Sequence, residues 1–130
     1  MKKLMLMMVV TIFTVSALTA QKAEVLYFKA NLACCHARSC AALQRDVQNI
    51  LEAHFDAKEL VFREVRLDDE ANKQLVEKHK ARSQTVVLVV KKRRSETVVD
   101  LSDLIRQYQR SRNRAEFEKE LVARIKAALA

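Results

Sequence analysis

Strand-like and helix-like patterns alternate along this chain, and that alternation restricts its fold more than any other feature. Strands favour short β-branched runs, whereas amphipathic helices repeat apolar residues every three to four positions. The run Val86–Val90 is uncharged and almost entirely valine, which predicts a central strand buried on both faces. The patterns predict, in order, strand Glu24–Ala30, helix Arg38–Phe55, strand Glu59–Leu67, helix Asn72–His79 capped by Asp68 or Asp69, and strand Gln84–Val90.

The last third of the chain adds a hairpin strand and a helical end. Lys91–Ser95 predicts a polar turn, Glu96–Leu101 a partner strand, and Asp103–Gln109 a helix. Asn113, with Glu116 three residues later, favours the start of a final helix. Strand–helix–strand units imply parallel pairing with right-handed crossovers, and the hairpin adds an antiparallel edge. The predicted fold is therefore α/β, a thioredoxin-like three-layer sandwich with the order β-α-β-α-β-β-α and a mixed four-stranded sheet.

The first twenty residues have the pattern of a bacterial secretory signal peptide. A basic start at Lys2 and Lys3 precedes the uncharged, mostly apolar run Leu4–Ala20. An uncleaved anchor is the alternative, but the run is near the lower limit for spanning a bilayer and has no basic flank close behind it. We therefore expect removal of residues 1–20, which leaves residues 21–130 as one periplasmic or secreted domain without stable membrane insertion.

Charge and composition limit the partners and cofactors that the chain can use. Removal of Lys2 and Lys3 lowers the formal net charge from +8 to +6. In an exported protein with few aromatic residues, this charge suits an acidic partner, an anionic envelope surface or simple solubility rather than nucleic acid. The chain has no Gly and no Pro, which excludes Gly-rich phosphate loops and dinucleotide fingerprints. We expect no cofactor, and turns built from Asn, Asp, Ser, Lys or Arg, of which Asn and Asp tolerate left-handed conformations best.

All three cysteines fall in the turn between the first predicted strand and the first helix. Cys35 is the expected attacking thiol, because His36, Arg38 and the helix N-terminus would lower its pKa. Cys40 shares a face with apolar helix positions and is the expected buried resolving thiol. Cys34 could replace Cys35. This arrangement predicts thiol–disulfide exchange or redox sensing with protein thiols or disulfides of the cell envelope.

Residues five or six apart in a regular helix are too distant for a disulfide. Pairing of Cys34 or Cys35 with Cys40 therefore requires an irregular loop over Asn31–His36. Two alternatives remain open. The cysteines could form a permanent structural bridge in a non-catalytic interaction module, or Cys34, Cys35, His36 and Cys40 could bind Cu(I) or zinc in a metal carrier.

Several segments together resemble the exported thioredoxin-like proteins of the ArsF family, which are described as nitrophenyl compound nitroreductase subunits. These segments are Tyr27-Phe28, the cysteine-bearing turn, Leu67–Leu75 with the sequence LDDEANKQL, and the Val-rich strand Val86–Val90. The resemblance extends over nearly all of Glu24–Leu129. It implies a thioredoxin-like fold with its cysteine site before the first helix.

Two departures from the family pattern concern the cysteine site. Cys40 occupies the place of the second cysteine of Cys-x-x-Cys, and Ala37 stands where the first would be. Gln84-Thr85-Val86 stands where thioredoxins place a cis-proline facing the disulfide. The ArsF family often lacks that proline too, so its absence argues against general thioredoxin activity more than against membership.

Overall fold

The computed structural model describes residues 23–31 and 35–130, and for residues 35–37 it describes the backbone only. Within these residues the elements follow one another in the predicted order. The strands are β1 Ala23–Lys29, β2 Leu60–Arg66, β3 Val86–Lys91 and β4 Glu96–Asp100, and the helices are α1 Cys35–His54, α2 Lys73–His79, α3 Ser102–Ser111 and α4 Arg114–Leu129. A single 3-10 turn, Glu70–Asn72, leads into α2.

The four strands form one mixed sheet in the order β2-β1-β3-β4. β1 pairs with β2 in parallel, with Val25 opposite Phe62. β3 is antiparallel to β1 and to β4, and Leu88 lies opposite Val25 on one side and Val99 on the other. The predicted α/β fold with a mixed four-stranded sheet is therefore confirmed.

The sheet separates two apolar layers, as the alternation of side chains along its central strands requires. Val25 and Tyr27 of β1 face the larger core, which they share with residues of α1, α3 and α4. Leu26 and Phe28 face the smaller core, against which α2 packs through Leu75 and Val76. All five residues of Val86–Val90 are buried, which confirms the prediction of a central strand covered on both faces.

Asn113 caps α4 as the sequence indicates, whereas Asp69 caps the 3-10 turn Glu70–Asn72 and α2 itself has no side-chain cap. The Asp69 side chain accepts a hydrogen bond from the Ala71 backbone N–H at 3.0 Å. The Asn113 side chain accepts one from the Glu116 N–H at 3.2 Å. Each bond satisfies a backbone donor that the first helical turn leaves unpaired.

Two of the described left-handed residues, a Lys and an Arg, are of types that we expected in turns, and the third, a Gln, is not. In the described part of the chain, positive φ angles occur at Lys80 (48°), Gln84 (65°) and Arg112 (57°), and at no Asn or Asp. Lys80 and Arg112 end α2 and α3, where their backbone N–H groups donate to carbonyls of the last turn. These terminal hydrogen bonds offset the steric cost of a left-handed residue with a side chain.

Residues 1–20 lie outside the described residues, so the signal peptide and its cleavage stay predictions. In the part of the chain that the structure describes, no helix combines the length and apolar character needed to cross a bilayer.

Candidate thiol site at the start of helix α1

The structure describes the three predicted site cysteines unequally. Cys34 lies outside the described residues, and Cys35 is the first residue of α1, with only its backbone described. Cys40 lies in the second turn of α1 and is a half-buried free thiol rather than the buried one that we expected. Leu43 and Val47, on the same side of the helix, are buried as predicted. The thiol therefore stands at the border between the core and the surface.

The expected irregular loop over Asn31–His36 is wrong for Cys35 and His36, because both belong to α1. A helix rises about 1.5 Å per residue, so five residues separate the Cα atoms of Cys35 and Cys40 by about 7.5 Å along the axis alone. A disulfide joins Cα atoms within about 7 Å. A direct bridge between Cys35 and Cys40 therefore requires the first turn of α1 to unwind.

The Cys40 sulfur accepts a hydrogen bond from the turn that precedes β3. The Gln84 side-chain Nε2 donates to Cys40 Sγ at 2.9 Å. Gln109 Nε2 of α3 in turn donates to Gln84 Oε1 at 2.9 Å. No peptide bond in residues 23–31 and 35–130 is cis. A glutamine side chain thus contacts the thiol from the segment in which thioredoxins carry their cis-proline.

A cleft of about 330 Å³ opens beside Cys40, at the end of β1. Its charged side chains come from β1 and β2, where Lys29 Nζ lies 3.7 Å from Glu64 Oε1. Gln44 Nε2 of α1 donates to Glu64 Oε2 at 2.6 Å. Glu64 is therefore partnered, and Arg66, which also lines the cleft, pairs at 3.5 Å with Asp68.

Tyr27 lies in the core, and its ionisation is sensitive to the charges of the thiol site. Burial raises the pKa of Tyr27 well above its usual value, and the charges of Cys40 and Glu64 raise it further. The hydroxyl therefore stays protonated at neutral pH. Among the described residues it has no hydrogen-bond partner, although the side chain is almost fully buried.

A second cleft of about 350 Å³ lies on the other side of α1, lined by residues of α1, of α3 and of the turn after α3, including Arg38, Gln109 and Arg112. Asp46 of α1 also lines it. Its carboxylate accepts a hydrogen bond from Tyr108 Oη at 2.9 Å and one from an Arg114 Nη1 at 2.8 Å. These bonds tie α1 to the two C-terminal helices.

Tyr27, Gln84 and Gln109 are residues of the thiol site that the sequence pattern does not predict. The absence of a proline at Gln84-Thr85-Val86 was the only feature of the sequence that set this turn apart from the corresponding turn of thioredoxins. The sequence contains no such signal at Gln109, because a glutamine on an amphipathic helix is usually an ordinary surface residue.

No protein-family model and no curated protein matches this sequence. Among solved structures, a thioredoxin from Thermus thermophilus superposes with a TM-score of 0.50 over 80% of this chain and 73% of that chain, at 23% identity. The fold is thioredoxin-like. Two further structures match more loosely. A thioredoxin-like protein from Clostridium perfringens has a TM-score of 0.43 at 20% identity over 59% of this chain and 57% of that one. A malarial protein has a TM-score of 0.41 at 22% identity, over 69% of this chain and 97% of that chain.

The metal alternative concerns side chains that the structure does not cover. In the described part of the chain, no three His, Cys, Asp or Glu side chains cluster closely enough to share a metal ion. The side chains of Cys34, Cys35 and His36 lie outside that part, so a Cu(I) or zinc site that includes them stays a prediction.

Proposed function

We propose that this thioredoxin-like protein exchanges thiols and disulfides with proteins of the cell envelope, through Cys40 and one of the two upstream cysteines. The observation that carries the proposal is the position of Cys40. It is a half-buried thiol at the start of α1, beside an open cleft, and its sulfur accepts a hydrogen bond from Gln84.

The reaction would proceed in two steps. The thiolate of Cys35, or of Cys34 in its place, attacks one sulfur of a partner disulfide and displaces the other, which leaves as a thiolate and takes up a proton. Cys40 then attacks the mixed disulfide and releases the second partner thiol. The partner disulfide gains two electrons, and two thiols of this chain become a disulfide. With Cys35 as the attacking residue, the second step requires the first turn of α1 to open.

We further propose that the protein is exported and related to the ArsF family. Support comes from the apolar run Leu4–Ala20 and from the segments that resemble that family. One of them, Leu67–Leu75, contains the capping residue Asp69 and the start of α2. An oxidising compartment also suits three cysteines placed within seven residues. N-terminal sequencing of the exported protein should give a first residue at or near Gln21, and an intact Met1 would contradict export by cleavage.

The exchange function is tested by equilibrating the protein with graded glutathione buffers and mapping its cysteine-containing peptides by mass spectrometry. We expect one intramolecular disulfide that includes Cys40, with a measurable midpoint. Cys40→Ser should abolish it, and either Cys34→Ser or Cys35→Ser should do so as well. Ser39→Ala, an exposed neighbour on the same helix, is the matched control and should leave the midpoint unchanged.

Three results would contradict the proposal. A disulfide that stays oxidised at every glutathione ratio would indicate a structural bridge. A Cys40 that never pairs would remove the resolving thiol. Stoichiometric Cu(I) binding by a reduced protein that forms no disulfide would indicate a metal carrier instead.

A further inference from the structure

Gln84 holds a backbone conformation that needs a compensating contact. Its φ of 65° is left-handed, and unlike Lys80 and Arg112 it does not end a helix. A left-handed residue other than Gly costs roughly 1–2 kcal/mol. Such conformations persist where the surrounding structure fixes them, often at functional sites.

The turn that carries Gln84 is fixed to the end of β1. The Gln84 backbone N–H donates to the Phe28 carbonyl at 3.0 Å, and the Phe28 N–H donates to the Thr85 carbonyl at 2.9 Å. The Thr85 hydroxyl also accepts the Arg82 N–H at 3.0 Å. The backbone is therefore held on both sides of Gln84, and its side chain extends toward α1.

The Gln84 amide bridges two helices. Its Nε2 donates to Cys40 Sγ at 2.9 Å, and its Oε1 accepts from Gln109 Nε2 at 2.9 Å. With Oε1 turned to Gln109, the N–H end of the amide faces the sulfur. An N–H donor interacts more strongly as negative charge develops on the sulfur.

We infer that Gln84 is a positioning residue for Cys40. Its amide N–H, oriented by Gln109, stabilises the reduced sulfur and opposes its entry into a disulfide. A disulfide sulfur is a poorer acceptor than the sulfur of a reduced cysteine, so oxidation of Cys40 weakens this bond. The biological role of this bias rests on the proposed exchange function, in which it would make the disulfide easier to reduce and the protein a stronger oxidant of its partners.

The test isolates Cys40 in a protein that carries Cys34→Ser and Cys35→Ser. Cys40 is equilibrated with hydroxyethyl disulfide, a small neutral probe. Cys40–SH and the probe disulfide give the mixed disulfide and one mercaptoethanol, which takes the proton, and mass spectrometry measures the ratio. Because no upstream cysteine takes part, this equilibrium can be measured even if the exchange function fails in the glutathione experiment.

We expect Gln84→Met, which keeps the side-chain length but removes the donor, to favour the mixed disulfide about fivefold, within the range of one neutral hydrogen bond. For a two-electron couple this corresponds to about 20 mV. Gln109→Met should shift the equilibrium in the same direction by a smaller factor, because the Gln84 amide then loses its fixed orientation. Gln107→Met, an exposed glutamine on the same helix, is the matched control and should change nothing.

Alkylation of Cys40 by iodoacetamide tells the two directions of the bond apart, because only the thiolate reacts. If the Gln84 amide donates to the sulfur, Gln84→Met should slow this reaction at neutral pH. A faster reaction would mean that the thiol donates to the amide oxygen, and the inference is wrong. Equal ratios in the parent and in both the Gln84→Met and Gln109→Met variants would also overturn it.

Discussion

The two tyrosines of this chain should respond with opposite signs to the loss of their hydroxyl groups. Tyr27 is 1% exposed, and among the described residues its hydroxyl has no hydrogen-bond partner. Tyr108 is half-buried, stacks on Phe117 with ring centroids 4.5 Å apart, and donates to Asp46 Oδ2 at 2.9 Å. We expect Tyr27→Phe to raise the free energy of unfolding and Tyr108→Phe to lower it.

The magnitudes follow from what each hydroxyl contacts. A buried polar group without a partner costs about 1–3 kcal/mol, so its removal from Tyr27 should stabilise the protein by about 1–2 kcal/mol. A hydrogen bond to a charged acceptor contributes about 1.5–3 kcal/mol. Partial exposure reduces that contribution at Tyr108, and we expect a loss of about 1 kcal/mol. In a domain of this size, each 1 kcal/mol moves the melting temperature by about 3–5 °C.

Urea unfolding followed by far-ultraviolet circular dichroism measures both changes without depending on tyrosine fluorescence. The urea concentrations at the midpoints should move in opposite directions. The slope of the free energy of unfolding against urea concentration should stay constant, since neither substitution changes the surface exposed on unfolding. Each tyrosine is the control for the other, because both substitutions remove one oxygen atom from the same residue type.

The pH dependence of Tyr27→Phe adds an independent check. Burial raises the pKa of Tyr27 in the folded protein above its ordinary value of 10.0. Below pH 10 the hydroxyl is protonated in both the folded and the unfolded protein, so its effect on stability does not depend on pH. Above pH 10 the unfolded chain ionises first, so the parent protein loses up to about 1.4 kcal/mol per pH unit through this residue. The phenylalanine variant lacks this loss, so its advantage should grow above pH 10.

A destabilised Tyr27→Phe variant would refute the reasoning, because it would mean that the hydroxyl has a partner. A difference between the variant and the parent that stayed constant from pH 8 to pH 11 would show that folding does not raise the pKa of Tyr27, and this too would contradict the reasoning.

Two further predictions concern polar groups that hold the C-terminal part of the fold. Ser102→Ala should lower the free energy of unfolding by about 1–3 kcal/mol, because the buried Ser102 hydroxyl accepts the Val86 backbone N–H at 3.0 Å and the variant leaves that donor unpaired. The exposed Ser95→Ala is the matched control in urea unfolding, and equal effects of the two would contradict the assignment. Asn113→Ala should lower the free energy of unfolding by about 1 kcal/mol, because it removes the cap of α4. Asn113→Asp keeps an acceptor at this position, so it should retain most of that stability in the same assay. A deficit shared by both variants would show that capping is not the cause.

The order of the elements was predictable because it depends on local patterns. Val86–Val90 has no charge to expose and became the buried strand β3, and Asp69 and Asn113 capped the turns that follow them. Capping joins residues two or three positions apart, and an uncharged run of valines favours burial whatever covers it, so the sequence pattern already contains this information.

The thiol site was only partly predictable. The placement of Cys40 near the start of α1 followed from the strand-to-helix pattern, but the helix begins at Cys35, three residues earlier than Arg38. The predicted loop ends sooner as a result, and the pairing of Cys35 with Cys40 now requires an unwound turn. Helix ends depend on caps and contacts that a periodic pattern does not record.

By itself, the amino-acid sequence determined that strands and helices alternate around a sheet with a fully buried centre, since hydrophobic periodicity fixes which face of each element avoids water. Only the tertiary structure decided what surrounds the Cys40 sulfur. Gln84 is 44 positions away in the chain, and the hydrogen bonds of its turn to Phe28 bring it to α1. Gln109 arrives from α3, a further 25 positions along. Contacts over such separations depend on how the elements pack, and no local pattern encodes that packing.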